Sequence, residues 1–273
     1  MPARPSGPPP PPTVQRLRVR YAKRGPLRFT SHRDLARVLE RGLRRARVPM
    51  AFSAGFSPHP KISYIGACPT GVASEAEYAE IGLSAAREPA EVRRELDAAL
   101  PPGVDVLEVV AVVPGEPSLA DRIDTSRWVV ELPGVGAEEV ASAVSAFLAA
   151  PEVTVSRKTK DGSRLLDARA AVVHLALVAW AGADTPAVLA SEQGRCATLD
   201  LVVRHSTPAV RPDDVLAGLR LVAGLAPASP PRVTRSAQGR LRADGSLDDP
   251  LAPPALARVG QQPGDVDPGA PHG

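Results

Sequence analysis

Residues Leu17–Tyr21 alternate Leu, Arg, Val, Arg, Tyr, the two-residue period of a strand with one buried face. At Ser31 the period changes. Leu35, Val38, Leu39, Leu43 and Ala46 recur at helical spacing, and Arg33, Arg37, Arg41, Arg44 and Arg45 occupy the other sides. The Ser31 hydroxyl suits the helix N-cap, with Asp34 three residues on as a shortened capping-box acid. The helix must end before Pro49, because a proline disfavours the α region for the residue preceding it. Met50–Ser53 then reads as a short strand. Lys61–Cys68 and Glu77–Leu83 read as two strands joined through Pro69-Thr70-Gly71. Pro89–Leu100 places Val92, Leu96 and Leu100 at helical spacing, with Pro89 near the first turn. Val104–Val113 is rich in β-branched residues and reads as a strand.

A looser version of the pattern follows. Trp128–Leu132, Val153–Lys158, Ala171–Trp180, Thr198–Arg204 and Arg232–Arg235 read as strands, and Ala137–Leu148 and Asp213–Leu221 as helices. Both sets fit a βαββαβ order with insertions. The expected fold class is therefore α+β, with two tandem ferredoxin-like halves at 15–118 and 124–236. Residues 1–14, with an unbroken Pro8–Pro12 run, read as a disordered or polyproline tail. The stretch 243–273 is rich in Pro, Gly and Asp without periodicity, and also reads as disordered.

Composition narrows the class. Of 273 residues 44% are hydrophobic but only 3% aromatic, so Val, Leu and Ala must build the core. The two cysteines, Cys68 and Cys196, form neither a disulfide framework nor a metal-ligand spacing, which points to the reducing cytoplasm. No apolar run of about 18 residues appears, so no membrane helix is expected. No cofactor or metal is implied either; His32, His59 and Asp34 match no strong ligand spacing.

Charge changes the picture most. The net charge of +3 hides a basic front segment: residues 15–61 hold 13 Lys and Arg against Asp34 and Glu40, and carry +11. A segment of this kind suits a polyanion, or it is a solvated Arg-rich helix. Tyr21, Phe29, Phe52, Phe56 and Tyr64 are interleaved with the cations, which favours RNA, since single-stranded nucleic acid stacks on aromatic side chains. The expected anion-binding residues are Arg28, His32, Arg33, Arg37, Arg41, Arg44, Arg45, His59 and Lys61.

Phe56-Ser57-Pro58-His59-Pro60-Lys61 has a constrained backbone, because each proline fixes its own φ and restricts its predecessor. The loop should project His59 at a fixed angle. If Met50–Ser53 is the second strand of a split βαβ unit, His32 at the helix start comes near His59 and the two imidazoles face one anion. If Lys61–Ala67 is that strand, the proximity is lost. Two imidazoles suit general acid–base chemistry, so His32 and His59 are the catalytic candidates for a metal-independent endoribonuclease. Cys68 reads as a small buried residue, His174 as a core or sheet-face histidine, and Glu75, Glu77 and Glu80 as a solvated strand face. His205 carries no signal beyond following a strand end. Arg157, Lys158 and Lys160 read as a basic hairpin tip.

Ser31-His32-Arg33-Asp34-Leu35, Leu43-Arg44-Arg45-Ala46, Gly55 through Ser63, and Gly71 through Tyr78 resemble the radical-SAM-associated family of uncharacterised bacterial domains. The resemblance spans about residues 15–236 and is most specific within 28–80. His32, Asp34, His59 and Lys61 match its pattern. Arg33, Ala54 and Ser57 stand where the family usually has Leu, Gln and Asn, so this chain lacks those two amides. The resemblance implies a stand-alone accessory domain acting with a separate radical SAM enzyme. The chain has no Cys-x-x-x-Cys-x-x-Cys, so any iron–sulfur cluster belongs to that partner. The leading expectation is an RNA-binding accessory to RNA modification; a ribonuclease and a module docking an acidic protein are the alternatives.

Overall fold

The alternation at the front of the chain becomes strand β1 (Gln15–Lys23), and the Arg-rich helix becomes α1 (His32–Arg45). The structure, a computed structural model, describes residues 11–159, 162–178 and 196–253. Ser31 caps α1 as expected: its Oγ accepts from the Asp34 N–H at 3.2 Å. Strands β2 (Ile62–Ile65) and β3 (Ala73–Leu83), helix α2 (Pro89–Ala99) and strand β4 (Val106–Ala111) follow. The second set comprises β5 (Thr125–Pro133), α3 (Ala137–Ala149), the hairpin β6 (Thr154–Thr159) and β7 (Gly162–Asp167), β8 (Val172–Val178), β9 (Cys196–Arg204), α4 (Pro212–Ala223) and β10 (Arg232–Gly239).

The fold is α+β and built mostly on one mixed sheet. Strands β1–β4 run antiparallel in the order β4-β1-β3-β2. Strands β5, β8, β9 and β10 run antiparallel in the order β10-β5-β9-β8. Thr234 and Arg235 of β10 lie parallel to Ala73 and Ser74 of β3 and join the two sets into one sheet. The β6–β7 hairpin stands apart from it.

Leu17, Val19 and Tyr21 of β1 and Ala79, Ile81 and Leu83 of β3 share one sheet face and pack beneath α1 and α2. Trp128, Val130 and Leu132 of β5 pack the same way beneath α3 and α4, around Phe147. On the other face of the first set, Ala76 and Tyr78 meet Leu119, Ile123 and Leu251. Leu251 belongs to the stretch expected to be disordered. Its described part is instead folded: Leu241 bridges Leu247, and the Asp248 N–H donates to the Arg240 carbonyl at 2.9 Å. The apolar Tyr78 face needed a cover, and local composition does not reveal a cover so distant in sequence. Residues 1–10, 254–273, Lys160 and Trp180, on which further sequence readings fall, lie outside the described residues.

Met50–Ser53 does not become a strand. Met50 and Phe52 make only isolated bridges, to Leu83 and Pro60, and β2 takes the place beside β3.

Candidate nucleic-acid interface

The thirteen cations of the front segment divide by element. Those of β1, with Arg24 just after it, serve the fold. Arg18 is buried and pairs with Glu116 at 2.7 Å and Glu80 at 3.4 Å, and Arg16 pairs with Glu80 at 3.0 Å. Arg24 pairs with Glu75 and with Asp105 at 2.8 Å. Arg20 donates to the Glu75 carbonyl at 2.9 Å and buried Lys23 to the Pro69 carbonyl at 3.1 Å. The segment's +11 therefore overstates what a ligand meets.

Helix α1 carries the free charge. At about 100° per residue, Arg33, Arg37, Arg41 and Arg44 fall within an arc of about 80°, opposite buried Leu35, Leu39 and Leu43. All four arginines are exposed. Arg37 makes an exposed pair with Asp34 at 3.2 Å, while Arg33, Arg41 and Arg44 have no ion pair among the described residues. Arg45, also exposed, donates to the Ala99 carbonyl at 3.1 Å. Asp34 is held below the usual carboxylate range by the Ser31 hydroxyl, and further by Arg37. Glu40 lies close enough to Tyr64 to raise its phenol pKa, after the larger effect of burial.

The loop after α1 is pinned at its base. Ser53 N–H donates to the His59 carbonyl at 2.8 Å, and His59 N–H to Ser53 Oγ at 3.0 Å. Lys61 N–H donates to the Ala51 carbonyl at 2.8 Å. Gly55, at φ +127°, makes the bend that an L side chain would strain. Phe56 at the tip is 82% exposed, and Phe29 and Phe52 are also exposed. The Arg28 guanidinium lies 4.7 Å from the Phe29 ring centroid. Tyr21, by contrast, is core, and Tyr64 is half-buried with its hydroxyl 3.3 Å from the Ala36 carbonyl.

The condition for convergence, Met50–Ser53 as the second strand, is not met, and the two histidines line different cavities. The His32 ring meets Tyr64 edge-on, with centroids 5.3 Å apart. His59 precedes Tyr64 by five residues of extended chain, about 16 Å at strand rise. His59 and Lys61 line a shallow cavity with Glu80; His32 lines another. The physical reason is the identity of the second strand. Because β2 begins after Pro60, His59 lies at its start and His32 near its end.

The cavity at His32, about 780 Å³, is one that sequence reading missed. The β2–β3 turn, Ser126 and Trp128 of β5, and His205 beyond β9 enclose it. Ser126 Oγ lies 2.8 Å from His205 Nε2 and 3.4 Å from Gln238 Oε1, and Gln238 Nε2 donates to the Ala76 carbonyl at 2.7 Å. His205 is exposed over much of its surface, but this edge of its ring faces inward. Burial, and then Arg235, hold its pKa below 6.5. Arg235 donates to Glu77, to the Gly66 carbonyl at 2.6 Å and to Ser74 Oγ at 3.3 Å. Glu77, expected on a solvated face, is thus a buried partner. Burial pushes the Cys68 thiol up to about 11. The available signal was a serine two residues from a tryptophan on the inward face of an apolar strand.

Among the described residues no group of three His, Cys, Asp or Glu is placed to hold a metal ion. No described helix is long and apolar enough to cross a membrane. Residues 16–212 match the family described as an uncharacterized protein conserved in bacteria (DUF2344). The chain belongs to that family. No curated protein matches it. The α1 stripe falls within the DUF2344 region and the histidine-lined cavity largely so, with Asp213, Arg235 and Gln238 contributed from beyond it.

Proposed function

We propose that this DUF2344 protein binds single-stranded RNA along α1 and the 52–60 loop, as an accessory to RNA modification. The observation that carries this reading is the α1 stripe, where Arg33, Arg41 and Arg44 are exposed without an ion pair among the described residues, together with exposed Phe29, Phe52 and Phe56 in the segments flanking the helix. Phosphates attract such cations, and bases stack on such rings. The motifs shared with the radical-SAM-associated family support a separate radical SAM enzyme as partner. The cysteine usage supports a cytoplasmic setting. The strand orders β4-β1-β3-β2 and β10-β5-β9-β8, each with two helices on one face, support two tandem ferredoxin-like halves. A ribonuclease built on His32 and His59 loses its main support, because acid and base must reach one phosphodiester.

The test is a gel-shift with total cellular RNA and the Arg41→Glu/Arg44→Glu variant. A control carries Arg204→Glu/Arg220→Glu, the same charge change on the second set of elements. The expected result is equal binding by the parent and the control and weaker binding by the α1 variant. Equal weakening by both would reduce the stripe to bulk charge and overturn the reading.

A further inference from the structure

We propose that the cavity under the β2–β3 turn receives one unstacked nucleotide of the RNA lying along α1. This rests on the RNA-binding reading, and it adds a second subsite that reads a base instead of the backbone.

Position comes first. His32 is the first residue of α1 and lines the cavity, so the cavity adjoins the end of the helix where the stripe begins, at Arg33. A strand held by Arg33, Arg37, Arg41 and Arg44 reaches that cavity without leaving the helix. The volume, about 780 Å³, lies within the range of about 300–1,000 Å³ typical of small-ligand pockets.

The lining suits a base. The Arg235 guanidinium stands 5.5 Å from the Trp128 ring centroid and is fixed by Glu77 and the Gly66 carbonyl. Stacked guanidinium and indole, both largely buried, form a rigid part of the cavity lining against which a base can pack. Beside it, Ser126, His205 and Gln238 form a connected polar group that is already oriented. The Ser126 hydroxyl, with one donor and two acceptor positions, retains capacity beyond its two contacts. His205 Nδ1 has no partner among the described residues. His32 offers a second imidazole across the cavity. Asp213 and Arg211, at the start of α4, also line it.

The experiment uses fluorescence. The chain has two tryptophans, Trp128 and Trp180, so Trp180→Phe leaves Trp128 as the single reporter. The full-length variant is titrated with each of the four ribonucleoside 5′-monophosphates, and with ribose 5-phosphate. The expected result is saturable quenching by at least one nucleotide and none by ribose 5-phosphate. His205→Ala, at an exposed loop position, should weaken the nucleotide at least about tenfold, a measurable loss of hydrogen bonding. Ser126→Ala should do the same, and His59→Ala in the other cavity should change nothing. A mononucleotide does not span α1, so Arg41→Glu/Arg44→Glu should leave the quench intact while weakening a long RNA. Failure of that long-RNA effect with the quench retained counts against the stripe alone and supports the cavity. No saturable quench by any nucleotide up to about 10 mM, weaker than ordinary ligand affinities, overturns the cavity proposal. So does a quench that both cavity variants retain.

Discussion

Arg235→Met is a sharp probe of how the two strand sets are held together. Arg235 and Glu77 are 3% and 2% exposed, and their ion pair joins β10 to β3 across 158 residues of sequence. Methionine keeps much of the side-chain volume but removes the charge. Glu77 is then left as a buried carboxylate with the Cys68 N–H, at 3.2 Å, as its remaining donor. Removing one partner of a buried pair typically costs about 3–5 kcal/mol, and the orphaned Gly66 carbonyl lies within that range. A loss of about 4 kcal/mol is therefore expected, a large share of the roughly 5–15 kcal/mol that stabilises a typical domain. Urea unfolding followed by circular dichroism measures it. The partner change Glu77→Gln supplies the cycle. Once Arg235 is gone, neutralising Glu77 should recover stability, so the double variant should lose at least about 2 kcal/mol less than the sum of the singles. A loss under about 1 kcal/mol for Arg235→Met, or a cycle additive within about 0.5 kcal/mol, would refute the reasoning.

Other consequences follow from the same contacts. An added Cβ at Gly239 would lie 2.0 Å from the Asp248 carbonyl oxygen, so Gly239→Ala should displace the 240–253 cover at about 1–3 kcal/mol and speed proteolysis within it; unchanged protection would count against that packing. With its thiol pushed up to about 11 and buried, Cys68 should resist iodoacetamide at pH 8 while exposed Cys196 reacts, and mass spectrometry should find one alkylated cysteine; rapid labelling at Cys68 would contradict its burial. Burial and Arg235 depress the His205 pKa, whereas Asp124 opposes them. Below about 6.5 the unfolded chain then binds more protons, so stability should fall as pH drops through that value and onward to the folded pKa. His205→Gln should flatten this part of the profile, and an unchanged slope would remove the assignment.

What was legible in the sequence was local. The Ser31 cap, the apolar stripe of α1 and the strands of β1, β3, β5 and β9 depend on residues within a few positions of one another, so periodicity alone marked them. The α+β class followed from that order. The errors arose where distant chain decides. Glu77 looks like one of several strand-face acids until Arg235 is brought beside it. Met50–Ser53 is apolar enough for a strand, but the edge of β3 is occupied by β2, and that choice separates His32 from His59. Arg16, Arg18 and Arg24 counted toward a basic segment because their partners Glu80, Glu116, Glu75 and Asp105 all lie beyond it. The Ser126–His205 contact spans 79 residues and has no motif to announce it.

The salt dependence of RNA binding tests the central claim most directly. Each phosphate neutralised on a single strand contributes a slope of about −0.7 to log K against log salt. Arg41→Glu/Arg44→Glu removes two such contacts and should make the slope shallower by about 1.4, whereas Arg204→Glu/Arg220→Glu should leave it in place. An α1 variant with the parent's slope, or a control that shifts it equally, would show that the RNA does not lie along this helix.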